Sequence, residues 1–263
     1  MDCLRRSIDI ENNKAAFKDR CCIECGHCYA VCPTHAISMG NTNAFPVTED
    51  YKFSAEELAV NPDKLLNLLR WRRSIRQFEN KPVEKEKLEK LAEAARFAPT
   101  ARNIQEIRYV FVSEKIEEFR AILWDSFENA AENNLKKGIY VEDAKRYITN
   151  AGKYRNNPSL ETDLLTFQCP AIVAVISRFD LGYFNYFDAA LGCANIEHVA
   201  VSEGLGLLHC ALGANGADDP RVREFLGLKD GEKLIFTLML GYPSEKLSYK
   251  RTPPRRTDLI SWR

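Results

Sequence analysis

The sequence predicts an α+β protein, a mixed or antiparallel sheet flanked by helices, preceded by a small cysteine-rich segment. Three observations carry this. Several stretches repeat apolar residues at i, i+3 and i+4, the spacing of one helix face. Between them stand only a few short runs rich in β-branched and aromatic residues, too few for a regularly alternating α/β chain. Five of the nine cysteines fall within the twelve positions from Cys21 to Cys32, which sets the N-terminal segment apart. The expected organisation is a small segment over 1–40, a linker over 41–62 and a main domain over 63–263.

At 263 residues the chain has room for one large core or two smaller ones. Its 37 basic and 37 acidic residues balance, which argues against a nucleic-acid or membrane-surface role. The longest wholly apolar run, Ala171 to Ile176, is far short of a membrane span. The N-terminus has no signal-peptide core. The expected location is therefore the cytoplasm, where thiols stay reduced and clustered cysteines bind metal more often than they pair.

In chain order the cysteine motif comes first. Cys22, Cys25, Cys28 and Cys32 form C-x2-C-x2-C-x3-C, followed at once by Pro33. This is the bacterial ferredoxin run that ligates a [4Fe–4S] cluster. Three thiolates on one tight turn can each reach a different iron of a single cube, while the fourth points elsewhere. A structural zinc knot is the bland alternative, but such sites pair one C-x2-C with a distant second pair. The segment resembles the two-cluster ferredoxins, in which the fourth cysteine of each run ligates the other cluster. Upstream, "CLRRSID" at 3–9 looks like a worn copy of "CPTHAIS" at 32–38. The separation of 19 positions from Cys3 to Cys22 is similar to that between the two runs of that family. The resemblance implies a cluster on Cys3, Cys22, Cys25 and Cys28, with Cys32 left over. Closure by Cys32 stays open, because Leu4 stands where proline is expected after Cys3. Cys21 has no place in the pattern.

Residues 39–57 have the composition of a linker or strap. Helices are expected over 62–74, with Leu65, Leu68 and Leu69 on the apolar face, and over 83–98, with Leu88, Leu91, Ala92 and Ala95 inward and Pro99 as the stop. A strand follows at 108–113 and a long polar helical region over about 114–154, with Ile116, Phe119 and Leu123 as its buried face. Continuous apolar runs predict buried strands at 170–178 and 233–243, separated by an apolar, central helix over 187–204. Cys169, Cys193 and Cys210 sit in apolar surroundings and are expected to act as small buried hydrophobes. His27, His35, His198 and His209 show no metal-ligand spacing.

Two basic clusters interrupt this neutral chain. Four arginines fall within 70–76, and five cations lie between Lys246 and Arg256. Solvated surface is the default for such runs. Arg72, Arg73 and Arg76 around Ser74, however, suit a phosphate, at about 1.5–3 kcal/mol for each charge-assisted hydrogen bond.

The stretch "RRSIRQFENKPVEKEKLEKLAEAARFAPTARNIQ" resembles the opening of the nitroreductase family of flavoproteins, which reads Arg-Arg-Ser-x-Arg-x-Phe, Pro-Val, a helix, and Ala-Pro-Ser-x-x-Asn-x-Gln-Pro-Trp. The likeness resumes at "DAALGCANIEHVAVSEGLGLLHCALG" and at "LGYPSEK", in family order, over about residues 65–256. It implies a nitroreductase-like fold and an intertwined homodimer whose two FMN sites are each built from both subunits. Arg72, Arg73, Ser74 and Arg76 match positions that grip the FMN phosphate and ribityl chain. Pro99, Thr100, Asn103 and Gln105 match the loop that reaches FMN from the partner. Ala211, Leu212 and Gly213 match the segment along the flavin ring. Arg255 or Arg256 matches a late phosphate-binding arginine, with a basic tail as the alternative.

The chain also departs from the family. Glu106-Ile107 replaces Pro-Trp, an aromatic near Ala211 is missing, and 124–165 matches nothing, all on the substrate side. With hydride chemistry supplied by a flavin, no protein acid or base is expected. The implied activity is FMN-dependent reduction of a small aromatic or conjugated acceptor, such as a nitroaromatic or quinone, with the cluster feeding electrons to the flavin. Ene reduction, reductive dehalogenation, and a sensor or electron carrier without a substrate are the alternatives. The donor is reduced ferredoxin or NAD(P)H, and no dinucleotide fingerprint decides between them.

Overall fold

Asn12 and Asn13, both left-handed at φ 51° and 59°, turn the chain between β1 (Ile8–Glu11) and its antiparallel partner β2 (Lys14–Phe17). Asparagine tolerates the positive φ that two-residue hairpin turns demand. The sequence reading assigns no hairpin here, because strands of four residues are too short to display a period. A short helix α1 (His27–Val31) follows Gly26, which adopts φ 80°. The structure, a computed structural model, describes residues 3, 5–18, 22–39, 51–178, 184–246 and 249–263. Of the expected linker over 41–62, residues 41–50 lie outside them. The chain divides into two units, one comprising 1–60 with 99–105 and the other 61–98 with 106–263.

The larger unit is a four-stranded antiparallel sheet in the order β3 (Arg108–Val112), β4 (Ala171–Arg178), β6 (Glu232–Gly241), β5 (Gly206–Cys210). β4 is inside on both faces, as its unbroken apolar run requires. Ile172, Ala174 and Ile176 face α4 (Ile116–Lys136), α5 (Val141–Asn156) and α7 (Pro220–Phe225), packing with Phe119, Leu123 and Phe127. Ala171, Val173 and Val175 face α3 (Lys85–Arg96) and α6 (Phe184–Ser202), packing with Leu91 and Ile196. Each of the Val, Ile, Leu and Phe side chains contributes about 1.5–3 kcal/mol on burial. Cys169, Cys193 and Cys210 belong to these cores, as expected. Among the described residues no helix is long and apolar enough to cross a membrane.

Four sequence expectations need correction. The helical region over 114–154 splits in two where Gly138 (φ 69°) and Tyr140 (φ 47°) turn the backbone left-handed. β5 and α7 were unassigned, being too short for periodicity to declare itself. The helix expected over 62–74 is α2 (Pro62–Trp71), started by Asn61 Oδ1 accepting from Lys64 N at 2.9 Å, with Pro62 at its first position. Its apolar stripe does not reach the core, and Leu65, Leu66, Leu69 and Trp71 are exposed.

A buried ionic network ties the 163–169 segment to α4. Arg120 of α4 donates from Nη1 to Asp163 Oδ2 at 3.1 Å and from Nη2 to Cys169 O at 2.9 Å. Asp163 also accepts from Trp124 Nε1 and from the backbone N–H groups of Thr166 and Gln168. Every lone pair of this carboxylate has a donor to meet, which its complete burial requires.

Candidate functional site

Because α2 ends at Trp71, the basic run leaves it extended, with Arg72 as the cap residue at ψ 142°. Ser74 then bridges Leu207 of β5 in parallel, and Ile75 N donates to Leu207 O at 3.1 Å. Further on, Glu79 N donates to Tyr242 O and Ser244 N to Gln77 O. The segment 74–79 therefore runs along the free side of β5 and past the end of β6. This docking fixes the basic run against β5 at Leu207; at the C-terminal end of β5, Ala211–Ala214 form a 3-10 turn.

Within that cradle the arginines differ. Arg73 Nη1 donates to Arg70 O at 2.8 Å and to Arg72 O, while its Nη2 is buried with no hydrogen-bond partner among the described residues. A buried guanidinium N–H without an acceptor is costly and rare, and an anion would satisfy it. Arg76 is exposed, and it pulls against the burial that pushes the Cys210 thiol up. Arg72 Nη1 donates to Glu197 Oε1 at 3.0 Å.

Sequence pattern alone does not single out Glu197. It is a buried carboxylate on a mostly apolar helix, and the same oxygen lies 3.5 Å from His209 Nε2 on β5. Burial alone would raise its pKa, but His209 and Arg72 outweigh that and hold it below the ordinary glutamate range. An acid within the apolar run of α6 was the available signal. Gly213 sits where an added Cβ would meet Thr237 Oγ1 at 2.3 Å, and Thr237 Oγ1 in turn donates to Cys210 O at 2.6 Å. Only glycine lets the 3-10 turn pack this closely on β6.

The other expected flavin loop belongs to the smaller unit. Ala101–Asn103 make one 3-10 turn, with Arg102, Asn103 and Gln105 left-handed at φ 56°, 55° and 55°. Thr100 organises it, its carbonyl accepting from Asn103 N at 3.0 Å and its Oγ1 from Gln105 N at 3.1 Å. Pro99 precedes it and is exposed. Arg255 and Arg256 are exposed in the C-terminal segment, and Arg256 makes a two-point pair with Asp258. No described contact joins either of them to the Arg72–Arg76 cradle.

The cysteine motif forms a second site, inside the smaller unit. A cavity of about 280 Å³ is lined by Cys3, Cys22, Cys25 and Cys28, with Ile8, Ile23 and Met39 among its apolar walls. That is roughly twenty times the 10–15 Å³ that one water needs. Cys32 is not among the lining residues. Among the described residues no three His, Cys, Asp or Glu side chains are set to hold one metal ion.

The worn copy read from the sequence has a counterpart in the backbone. Arg6 N donates to Cys3 O at 3.0 Å and Ser7 N to Cys3 Sγ at 3.2 Å. His35 N donates to Cys32 O at 3.3 Å and Ala36 N to Cys32 Sγ at 3.3 Å. Arg6 and His35, each three residues after its cysteine, take φ 51° and 52°. The Ser7 N–H is the main cause holding the Cys3 thiol below its ordinary pKa, and the Thr34 hydroxyl, then the Ala36 N–H, do so for Cys32.

The model of the nitroreductase family matches residues 69–242, well over half of the chain. The chain belongs to the nitroreductase family. It is an oxidoreductase of that kind, with the α+β fold and antiparallel sheet described above. Among curated relatives it is similar to rat iodotyrosine deiodinase 1, 27% identical over 199 residues that cover 73% of this chain and 67% of the relative. It is also similar to an NADPH-dependent oxidoreductase of Staphylococcus aureus, 28% identical over 70% of this chain and 66% of the relative. Of solved structures, a Bacteroides fragilis nitroreductase with bound FMN superposes with a TM-score of 0.62, at 22% identity over 78% of this chain and 100% of its own. A Desulfitobacterium hafniense nitroreductase with bound FMN gives 0.59, at 22% identity over 78% and 99%. For this chain the structural likenesses establish the fold. The matched stretch begins at Leu69, so the cysteine-rich segment lies outside it.

Proposed function

We infer that this nitroreductase-family protein binds FMN and reduces a small aromatic or conjugated acceptor, with electrons entering through a [4Fe–4S] cluster in the N-terminal segment. The observation that carries the flavin reading is the buried Arg73 Nη2 without an acceptor among the described residues, in a cradle with Arg72, Ser74 and Arg76 that docks on β5 at Leu207. An FMN phosphate would meet that N–H, and the Arg72–Glu197 pair would fix one guanidinium in advance. Pro99, Thr100, Asn103 and Gln105 would complete the flavin site of a partner subunit. Arg255 and Arg256 stay secondary candidates, Arg256 the weaker because Asp258 engages it. When bound, FMN supplies the capacity to collect electrons singly and pass them on as a pair.

The cavity supports Cys3, Cys22, Cys25 and Cys28 as the cluster ligands, with Cys32 left over. A homodimer is favoured by the exposed Leu65, Leu66, Leu69 and Trp71 of α2, an apolar face that nothing in the chain covers among the described residues. Fusing cluster and flavin on one chain keeps them at high effective concentration.

Reductive dehalogenation is the second reading, favoured by the likeness to iodotyrosine deiodinase 1. The experiment is anaerobic turnover with reduced ferredoxin or NADPH, offering a nitroaromatic, a quinone and a halophenol separately. Nitro or quinone reduction without halide release is the expected result. Halide release as the dominant reaction would favour the second reading. A Cys25→Ala variant, at saturating FMN, should lose most ferredoxin-driven turnover while dithionite still reduces its flavin. Ferredoxin-driven turnover at the parent rate would sink the inlet.

A further inference from the structure

Asn103 has a hydrogen bond that flavin binding does not explain. Its Nδ2 donates to Glu24 O at 3.1 Å, across 79 positions of sequence and within the smaller unit. Glu24 stands between Cys22 and Cys25, and its own N–H donates to Cys22 Sγ at 3.4 Å. The Glu24 backbone, left-handed at φ 52°, is thus pinned by a cysteine sulfur on one side and by a carboxamide on the other. Arg102, Asn103 and Gln105 are left-handed too, a conformation that residues with side chains keep only where their surroundings impose it.

We propose that Asn103 couples the two cofactor sites, so that assembling the cluster on the cysteine loop tightens FMN binding by the loop that carries Asn103. The proposal rests on the cluster and FMN readings above. A cluster bound through Cys22 fixes the Glu24 carbonyl. The fixed carbonyl holds the Asn103 amide, and the held amide keeps the 99–105 loop in one shape. Conformational freedom lost when the first cofactor binds is not lost again when the second does, which makes binding cooperative without any large movement. By linkage the effect is reciprocal, and FMN must retain the cluster by the same factor.

The test uses the full-length protein under anaerobic conditions. FMN dissociation constants are measured by flavin fluorescence with the cluster intact and after iron removal by a chelator. Iron removal should weaken FMN binding at least about fivefold, the lower end of ordinary coupling. Asn103→Asp, which keeps the size but offers no donor to the carbonyl, should bring that ratio to within about twofold of one. Asn103→Gln, which keeps the donor, should retain part of the effect. Equal FMN affinity with and without iron in the parent, or the parent's ratio in Asn103→Asp, would overturn the proposal. Should Asn103→Asp hold no iron, the parent decides alone. FMN must shift the equilibrium removal of iron by the chelator by the factor seen in binding, and an unshifted equilibrium would overturn the coupling. A protein that assembles no iron and sulfide on reconstitution sinks the cluster reading and this proposal together. One that holds both cofactors independently sinks only this one.

Discussion

Single side chains carry the chemistry of both sites, and their surroundings say which substitutions are informative. Arg73 is the best probe of the phosphate cradle, because its buried Nη2 has no protein acceptor to lose. Arg73→Ala, and independently Arg76→Ala, should weaken FMN by about 2 kcal/mol, roughly thirtyfold, in a fluorescence titration. Unchanged affinity in both would remove the cradle. Arg72 is less clean, since its truncation also strands the buried Glu197. At the cysteines, Cys3→Ala should abolish the iron–sulfur absorbance, whereas Cys32→Ala should keep it, because only Cys3 lines the cavity with the other three. The opposite pattern would reverse the ligand assignment. Arginine-rich and cysteine-rich motifs are legible in sequence because their local spacing is their geometry. Glu197 is not, because its partners Arg72 and His209 lie on other elements.

Elements explain how those residues come together. The arginine run is useful only because α2 stops at Trp71 and the extended chain then docks on β5. Gly206 permits that docking, since a Cβ there would meet Ile75 Cγ1 at 2.5 Å. Gly206→Ala should therefore cost about 1–3 kcal/mol by overpacking. It should also weaken FMN, although Gly206 itself lies outside the cradle. Urea denaturation and an FMN titration on the same variant check both. A variant with parental stability and affinity would mean that the 74–79 segment is free to slide. The strands β4 and β6 and the helices α3 and α6 were legible because they are long, or strongly periodic, or continuously apolar. The hairpin, β5 and α7 were not, being four to six residues each.

For the molecule as a whole, the unburied stripe of α2 is the informative failure of the sequence reading. Helical spacing of Leu65, Leu68 and Leu69 says that a face will be covered but not by which chain. Sedimentation should therefore give twice the chain mass. Leu65→Glu with Leu69→Glu should shift the protein toward monomer and lower its FMN occupancy, if each flavin site draws on two subunits. A monomeric double variant with full FMN occupancy would separate the dimer from the cofactor.

The sequence by itself determined an α+β core around a mixed or antiparallel sheet, the family and the residue types able to hold a phosphate and an iron–sulfur cube. Those properties reside in spacing and composition over short windows. Tertiary structure decided the rest: that β5 receives the arginine strand, that Glu197 meets Arg72 across 125 positions, and that Asn103 reaches the Glu24 carbonyl across 79. Contacts of that span depend on where a folded backbone returns, and no local pattern encodes the return.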